Sequence, residues 1–350
     1  MFFVEEPVRE EGGAYLRSYV CSETGVQVCT PVLPPHCSDA EATEWQREFL
    51  RSLLEEERIS DYLLWYYTPM ALEFSRDIEG AVTVYDCMDE LSGFAGAPAA
   101  LRKNEMALFK KADLIFTGGT SLFEAKRLQH RSVHLFPSSV DVVHFERART
   151  RQEEPSDQAR IAKPRLGYAG VIDERMDLEL IRYIAAERPE WQLILLGPVA
   201  KIDPAALPTA PNIHYLGIKQ YAELPRYLAG WRIGMLPFAL NEATRFISPT
   251  KTPEYLAAGL RVVATPIRDV ISPYGDLGLV GIAQTPKEFV EIADGFLANE
   301  VLNEVLDEFH DQADEFLRRS SWDSVWRNMD DLIKEARYNK EPASKDMAHV

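Results

Sequence analysis

No stretch of the chain stays apolar for the roughly 20 residues that a membrane-spanning helix needs, and positive charge is in short supply. Lys and Arg total 38 against 55 Asp and Glu, a formal net charge of −17. An acidic surface repels phosphate backbones and anionic lipid alike, which argues against nucleic acid and leaves at most peripheral membrane contact. The start, Met1-Phe2-Phe3-Val4-Glu5-Glu6-Pro7, has no basic segment leading into an apolar run, so it does not read as a secretory signal and a cytoplasmic protein is expected. Cysteine is scarce: Cys21, Cys29, Cys37 and Cys87 form no C-x-x-C pair. Cys29, His36 and Cys37 are spaced unlike a zinc site, so no metal is expected and small reduced side chains are. A G-x-G-x-x-G fingerprint and a Walker lysine are both missing, so no cofactor is expected either.

What remains is an ordinary globular composition, 46% hydrophobic and 27% charged, in 350 residues, enough for two or three domains. Phe2 to Val4 reads as a strand, 11–37 as hairpin or irregular structure, and Ser38 with Glu41 as a capping box. Strands follow at Tyr62 to Tyr67, at Ala81 to Tyr85 with a stop at Asp86, at Leu114 to Phe116 and at Val133 to Phe136. A helix is expected over Leu101 to Lys111, and another starting at Ser121 and Glu124. Residues 149–163 are charged and aperiodic and read as a linker. Strand–helix alternation then restarts at Arg165. Apolar strands alternating with helices indicate parallel α/β layers, with ligand crevices at the strands' carboxyl ends. The resulting division is 1–148, linker 149–163, 164–310, helices over 311–337 and a disordered tail over 338–350.

The strongest local signal is Ser248-Pro249-Thr250-Lys251-Thr252-Pro253-Glu254-Tyr255-Leu256-Ala257-Ala258-Gly259. A loop enters a helix whose first turn offers backbone N–H groups and the positive dipole end, with Lys251 beside them. That suits a diphosphate. Glu254 is placed to accept hydrogen bonds from vicinal hydroxyls, as a ribose offers. From spacing alone, a surface charge pair at a helix start fits equally well. A second anion candidate, Gly170 to Arg175, follows the first strand of the second half. A surface arginine is the commoner reading of it. Gly118-Gly119-Thr120-Ser121 reads as a tight turn with a helix cap rather than a phosphate cradle, and His134 and His144 as structural.

In these segments the second half resembles the donor lobe of GT-B glycosyltransferases, especially family 4 and envelope enzymes of the teichuronic-acid type. The resemblance covers roughly residues 60–335 and is most specific at Pro249 to Gly259. It implies an α/β fold of two Rossmann-like parallel-sheet domains facing a cleft, with a C-terminal helix packing back. It implies donor contacts at Gly170, Arg175, Gly197, Ile218, Tyr221, Pro249, Thr250, Lys251 and Glu254. Two departures stand out. Family 4 enzymes carry a first glutamate where this chain has Phe246, so Asn241, Glu242 or Arg245 is expected to meet the transferred sugar. The strand–helix unit that opens related proteins is expected to be missing.

The base for an acceptor hydroxyl is sought after the Ala81 to Tyr85 strand: Asp86 first, then Asp89, then Glu90. An Asp capping the following loop is the structural alternative. The function implied is transfer of a sugar from a UDP-linked donor to a glycan or lipid-linked acceptor, without metal. A nucleotide-sugar epimerase or hydrolase, and a non-catalytic nucleotide-sugar-binding protein, are the rivals.

Overall fold

The computed structural model describes residues 1–94, 96–299 and 303–340. Two compact units emerge. The first holds Met1–Asp86, Pro98–Ile115 and, of the described residues, 336–340; the second holds Cys87–Ala97 and Phe116–Glu335.

In the first unit, β1 (Phe2–Val4), β2 (Val8–Arg9), β3 (Tyr15–Val20) and β4 (Gln27–Leu33) form one sheet with β4 at its centre. β1 and β2 pair with β4 in parallel, while β3 folds back on it as an antiparallel hairpin, one of the two readings of residues 11–37. β4 takes the central place because it is buried from Val28 to Leu33. The Ser38 and Glu41 capping box opens α1 (Asp39–Glu56). β5 (Leu63–Tyr66) and β6 (Val82–Cys87) pair in parallel on either side of α2 (Leu72–Ser75). β6 runs through Asp86, where the sequence suggested a stop, because its six residues are all buried. α3 spans Leu101–Lys111 as expected. β7 (Leu114–Thr117) carries the chain into the second unit, within a sheet of order β5-β6-β7-β8 that ends at β8 (Val133–Leu135).

The helix expected from Ser121 and Glu124 is α4 (Thr120–Lys126), but its cap is not local. Gly119 holds the N-cap position, and the Ser121 N–H donates to Asp269 Oδ1 at 2.9 Å. A carboxylate 148 residues away has replaced the serine cap, and a Cβ on Gly119 would fall 2.0 Å from its other oxygen. α5 (Val142–Glu146) follows β8. The expected linker, 149–163, is irregular yet fastened to the second unit. Gln158 is fully buried, donating to Tyr227 O (3.0 Å) and accepting from Trp231 Nε1 (2.9 Å), and Glu154 pairs with buried Arg165. Residues 116–148, which the sequence division gives to the first half, also pack within this second unit.

The main sheet of the second unit is wholly parallel, in the order β11-β10-β9-β12-β13-β14. Its strands are β9 (Arg165–Ala169), β10 (Gln192–Leu196), β11 (Ile213–Gly217), β12 (Ile233–Leu236), β13 (Arg261–Ala264) and β14 (Val280–Ile282). Between them lie α6 (Leu178–Glu187), α7 (Leu224–Leu228), α8 (Lys251–Ala257) and the single turn α9 (Arg268–Val270). α10 (Pro286–Asn299), α11 (Asn303–Arg319) and α12 (Trp322–Lys340) finish the described chain. The tail expected to be disordered from 338 is helical to Lys340, where Arg337 and Lys340 pair with Asp61 (2.7 Å) and Asp113 (2.6 Å). Residues 341–350 lie outside the described residues.

Two strand glycines set how α8 lies on this sheet. A Cβ at Gly167 would come 2.1 Å from the Trp231 ring, and one at Gly234 2.4 Å from the Tyr255 ring. Pairing of β9 with β12 ends at Gly234 and Gly167, which leaves the Ala169 N–H without a ladder partner. The fully buried Tyr255 supplies one, its hydroxyl oxygen accepting that N–H at 2.7 Å. Arg149 holds the other end of α8, donating to the carbonyls of Leu256 and Ala257 (3.0 and 2.8 Å) and pairing with Asp314. Replacing Tyr255 with Phe orphans a buried N–H and should cost about 1–3 kcal/mol in urea unfolding. Unchanged stability would show that the hydroxyl holds nothing.

Candidate functional site

The donor residues expected from the sequence all lie in the second unit, at the carboxyl ends of its parallel strands. At the start of α8, Thr250 is the N-cap residue with no side-chain cap bond. Pro253 has no N–H to offer, and that of Thr252 is spent on Pro249 O (3.1 Å). Among the described residues the N–H groups of Thr250 and Lys251 bond to nothing in the chain. Lys251 Nζ reaches both carboxylate oxygens of Glu254 at 3.1 Å. Burial raises the Glu254 pKa, and Lys251 and then His144 oppose that rise. The spacing left a solvated surface pair open, but Glu254 is 12% exposed at its side chain. A carboxylate so enclosed gains from hydroxyl donors.

The turn after β11 lies beside it. Ile218 is exposed, and the half-exposed Tyr221 ring stacks on His144 at 4.3 Å and 11°. The His144 ring also meets the Tyr221 carbonyl oxygen (Nε2 to O, 3.0 Å), and its backbone N–H is capped by Asp141 (3.0 Å). No periodic or motif signal marked His144 for this place, because the stack is a tertiary contact between segments 77 residues apart.

The loop after β9 is more committed than expected. Gly197 sits at φ +135°, and a Cβ there would strike Gly170 O at 1.9 Å, so the two glycines are needed to pass one another. Arg175 forks onto Asp173 (Nε 3.0 and 3.1 Å, Nη2 2.7 Å), which raises the guanidinium pKa and leaves the group partly exposed. Asn241 is occupied twice, accepting from Thr244 N (3.1 Å) and donating to Glu174 O (2.9 Å). Glu242 and Arg245 form a loose exposed pair at 3.8 Å. Both oxygens of the Glu174 carboxylate are buried without a partner, a feature only coordinates reveal.

The three acids proposed as base differ in their surroundings. Asp86 belongs to the first unit and is 5% exposed. Burial lifts its pKa to about 6, against a single opposing hydrogen bond from Trp65 Nε1 (3.2 Å) to one oxygen; the other oxygen has none. Asp89 and Glu90 lie in the second unit. Burial raises the Asp89 pKa, with Arg175 pulling the other way. Burial also works against the Glu90 charge, but Lys126 at 2.7 Å and Ser92 outweigh it and hold that carboxyl below its usual range. Asp89, Glu90, Glu242 and Phe246 share the wall of one small hollow. No group of three metal-ligating side chains occurs among the described residues, and Cys37 Sγ instead accepts from Arg9 (2.7 Å). No described helix is long and apolar enough to cross a membrane.

No protein-family model matches the chain. TuaH of Bacillus subtilis (strain 168), assigned by its name to teichuronic acid biosynthesis as a glycosyltransferase, is 26% identical over 218 residues. That match covers 58% of this chain and 55% of TuaH, so it spans about half the relative's length. Among solved structures, a trehalose-phosphate synthase from Burkholderia xenovorans in complex with glucose-6-phosphate superposes with a TM-score of 0.66 at 14% identity, over 96% of this chain and 92% of that one. Anabaena HepE in complex with UDP and glucose gives a TM-score of 0.63 at 15% identity, over 87% and 86%. A wholly parallel six-stranded α/β sheet, a second sheet in which β5 and β6 run parallel, a C-terminal helix and these likenesses agree: the chain has the GT-B glycosyltransferase fold.

Proposed function

We propose that this chain moves a sugar from a nucleoside-diphosphate sugar, UDP-linked, to a hydroxyl of a glycan or lipid-linked acceptor in the synthesis of envelope or extracellular polysaccharide. The observation that carries the proposal is the Lys251 and Glu254 pair, held at the strand ends by the anchored Tyr255 one residue on. In this reading the diphosphate takes over Lys251 and the free N–H groups of Thr250 and Lys251. Glu254, released from Lys251, accepts from the ribose hydroxyls, and the Tyr221 turn lies against the base. HepE, whose fold this chain shares, was solved with UDP, which supports that choice of nucleotide.

The acceptor oxygen attacks the anomeric carbon, the bond from that carbon to the diphosphate oxygen breaks, and the hydroxyl proton passes to a carboxylate. Of the three acids, Glu90 is already neutralised by Lys126, so Asp86 is the first choice and Asp89 the second. Lys251 and Arg175 balance the charge left on the nucleoside diphosphate, a task that needs no metal ion when cations and N–H groups are fixed in place. Asn241 is bound up in its own turn, which leaves Glu242 and Arg245 to approach the donor sugar where relatives use the glutamate replaced by Phe246. Four free cysteines accord with a reducing compartment, and we place the reaction in the cytoplasm.

UDP should raise the melting temperature of the wild type, since a ligand bound only to the folded state stabilises it. Lys251→Ala should weaken UDP by about 10–100-fold, the worth of one charge-assisted contact. An undiminished thermal shift in that variant removes Lys251 from the site. The base gives a separate test. A carboxylate must be ionised to take a proton, so kcat/KM should climb as pH passes about 6 and level off above it. Asp86→Asn should lower kcat by about 10²–10⁴-fold. A profile already flat at pH 5 would disqualify Asp86.

A further inference from the structure

A partly open cavity of about 210 Å³, lined by none of the proposed donor contacts, lies within the second unit. The turn after β8, the segment following β13 and the junction of α11 with α12 enclose it. Its volume equals roughly seven waters, room for one compact molecule and too little for a nucleotide. Thr120, Ser138, Ser248, Ser272, Tyr274 and Asn328, which carry hydroxyl or amide groups, line it, and no side-chain hydrogen bond of theirs within the chain is found among the described residues. Phe136 and Phe316 supply apolar wall, with the Phe316 and Tyr274 rings 5.2 Å apart.

Charge narrows the ligand class. Asp269 lines the cavity and is 3% exposed; its Oδ1 accepts the first-turn N–H of α4, and its Oδ2 is buried without a hydrogen-bond partner. An anion would meet a buried carboxylate, whereas a hydroxyl can donate to the carboxylate oxygen that is left over. Arg319 stands at the rim, paired with Glu315. What fits is neutral, compact, rich in hydroxyls and apolar on at least one face. We propose that this cavity binds a single sugar ring, with its hydroxyls on the Ser, Thr, Tyr and Asn groups and its C–H face on the aromatic wall. The ring is either a unit of a glycan or a free sugar; the recognition chemistry is common to both. None of the proposed donor contacts lines the cavity, although Ser248 directly precedes Pro249.

The test is ligand-observed NMR on the full chain with D-glucose, D-galactose and N-acetyl-D-glucosamine and their methyl glycosides, each at about 10 mM, well above a weak Kd of about 1 mM. At least one should receive saturation from the protein. A methyl glycoside that binds like its free sugar marks a glycan unit, whereas binding of the free sugar alone marks a free ligand; both support the site. Ser138→Phe should abolish the signal by filling the cavity. Tyr274→Phe, which deletes one hydroxyl and keeps the shape, should weaken binding about threefold or more. The UDP-induced thermal shift of each variant reports folding and the donor site separately, so loss of UDP binding in the wild type would count against the donor reading alone. Absence of transfer from all six sugars, or undiminished transfer in folded Ser138→Phe, overturns the proposal.

Discussion

Where β12 stops pairing with β9, the Ala169 N–H is left without a strand partner, and the Tyr255 hydroxyl meets it. The ring behind that hydroxyl fits only because Gly234 has no side chain, and its neighbour Trp231 fits only over Gly167. Close packing of this kind has one solution, because a methyl group at either glycine would overlap an aromatic ring. α8 is therefore fixed in rotation as well as position. Lys251 and Glu254, on the turn just ahead of Tyr255, inherit that precision. A site on a loop alone would not have it.

The electrostatics follow from the same fixing. An acidic chain presents a nucleotide with an unfavourable mean field, so binding depends on local cations. In the proposed function Lys251 and Arg175 are those cations, and each is held by a carboxylate, Glu254 and Asp173. Such pairs keep buried charges satisfied until a diphosphate competes for the cation. On that proposal Glu254 then loses its partner inside a poorly solvated pocket, and ribose hydroxyls would be the compensating donors. Lys251 and Glu254, three residues apart on one turn, would then act as one exchangeable unit.

Much of this was legible in the sequence. The α/β class, the strand–helix alternation that restarts at Arg165, the bounds of α3 and the capping box of α1 came from apolar periodicity and local caps, which act within a few residues. The Pro249 to Gly259 segment stood out because loop, lysine, glutamate and apolar stripe lie together. What stayed hidden depends on distance along the chain. Asp269 caps α4 from 148 residues away and displaces the Ser121 cap that local rules favour. His144 stacks on Tyr221, and Gln158 buries an apparent linker, through contacts that no window of sequence contains. The Glu174 carboxylate and the hydroxyl-lined cavity are properties of packed side chains alone.

Hydrogen–deuterium exchange with and without UDP tests the central claim most directly, because it reads the backbone at the place in question. UDP should slow exchange in peptides covering residues 249–256 and 215–223, and leave β1 to β4 unchanged. Protection elsewhere with none over 249–256 would contradict the account.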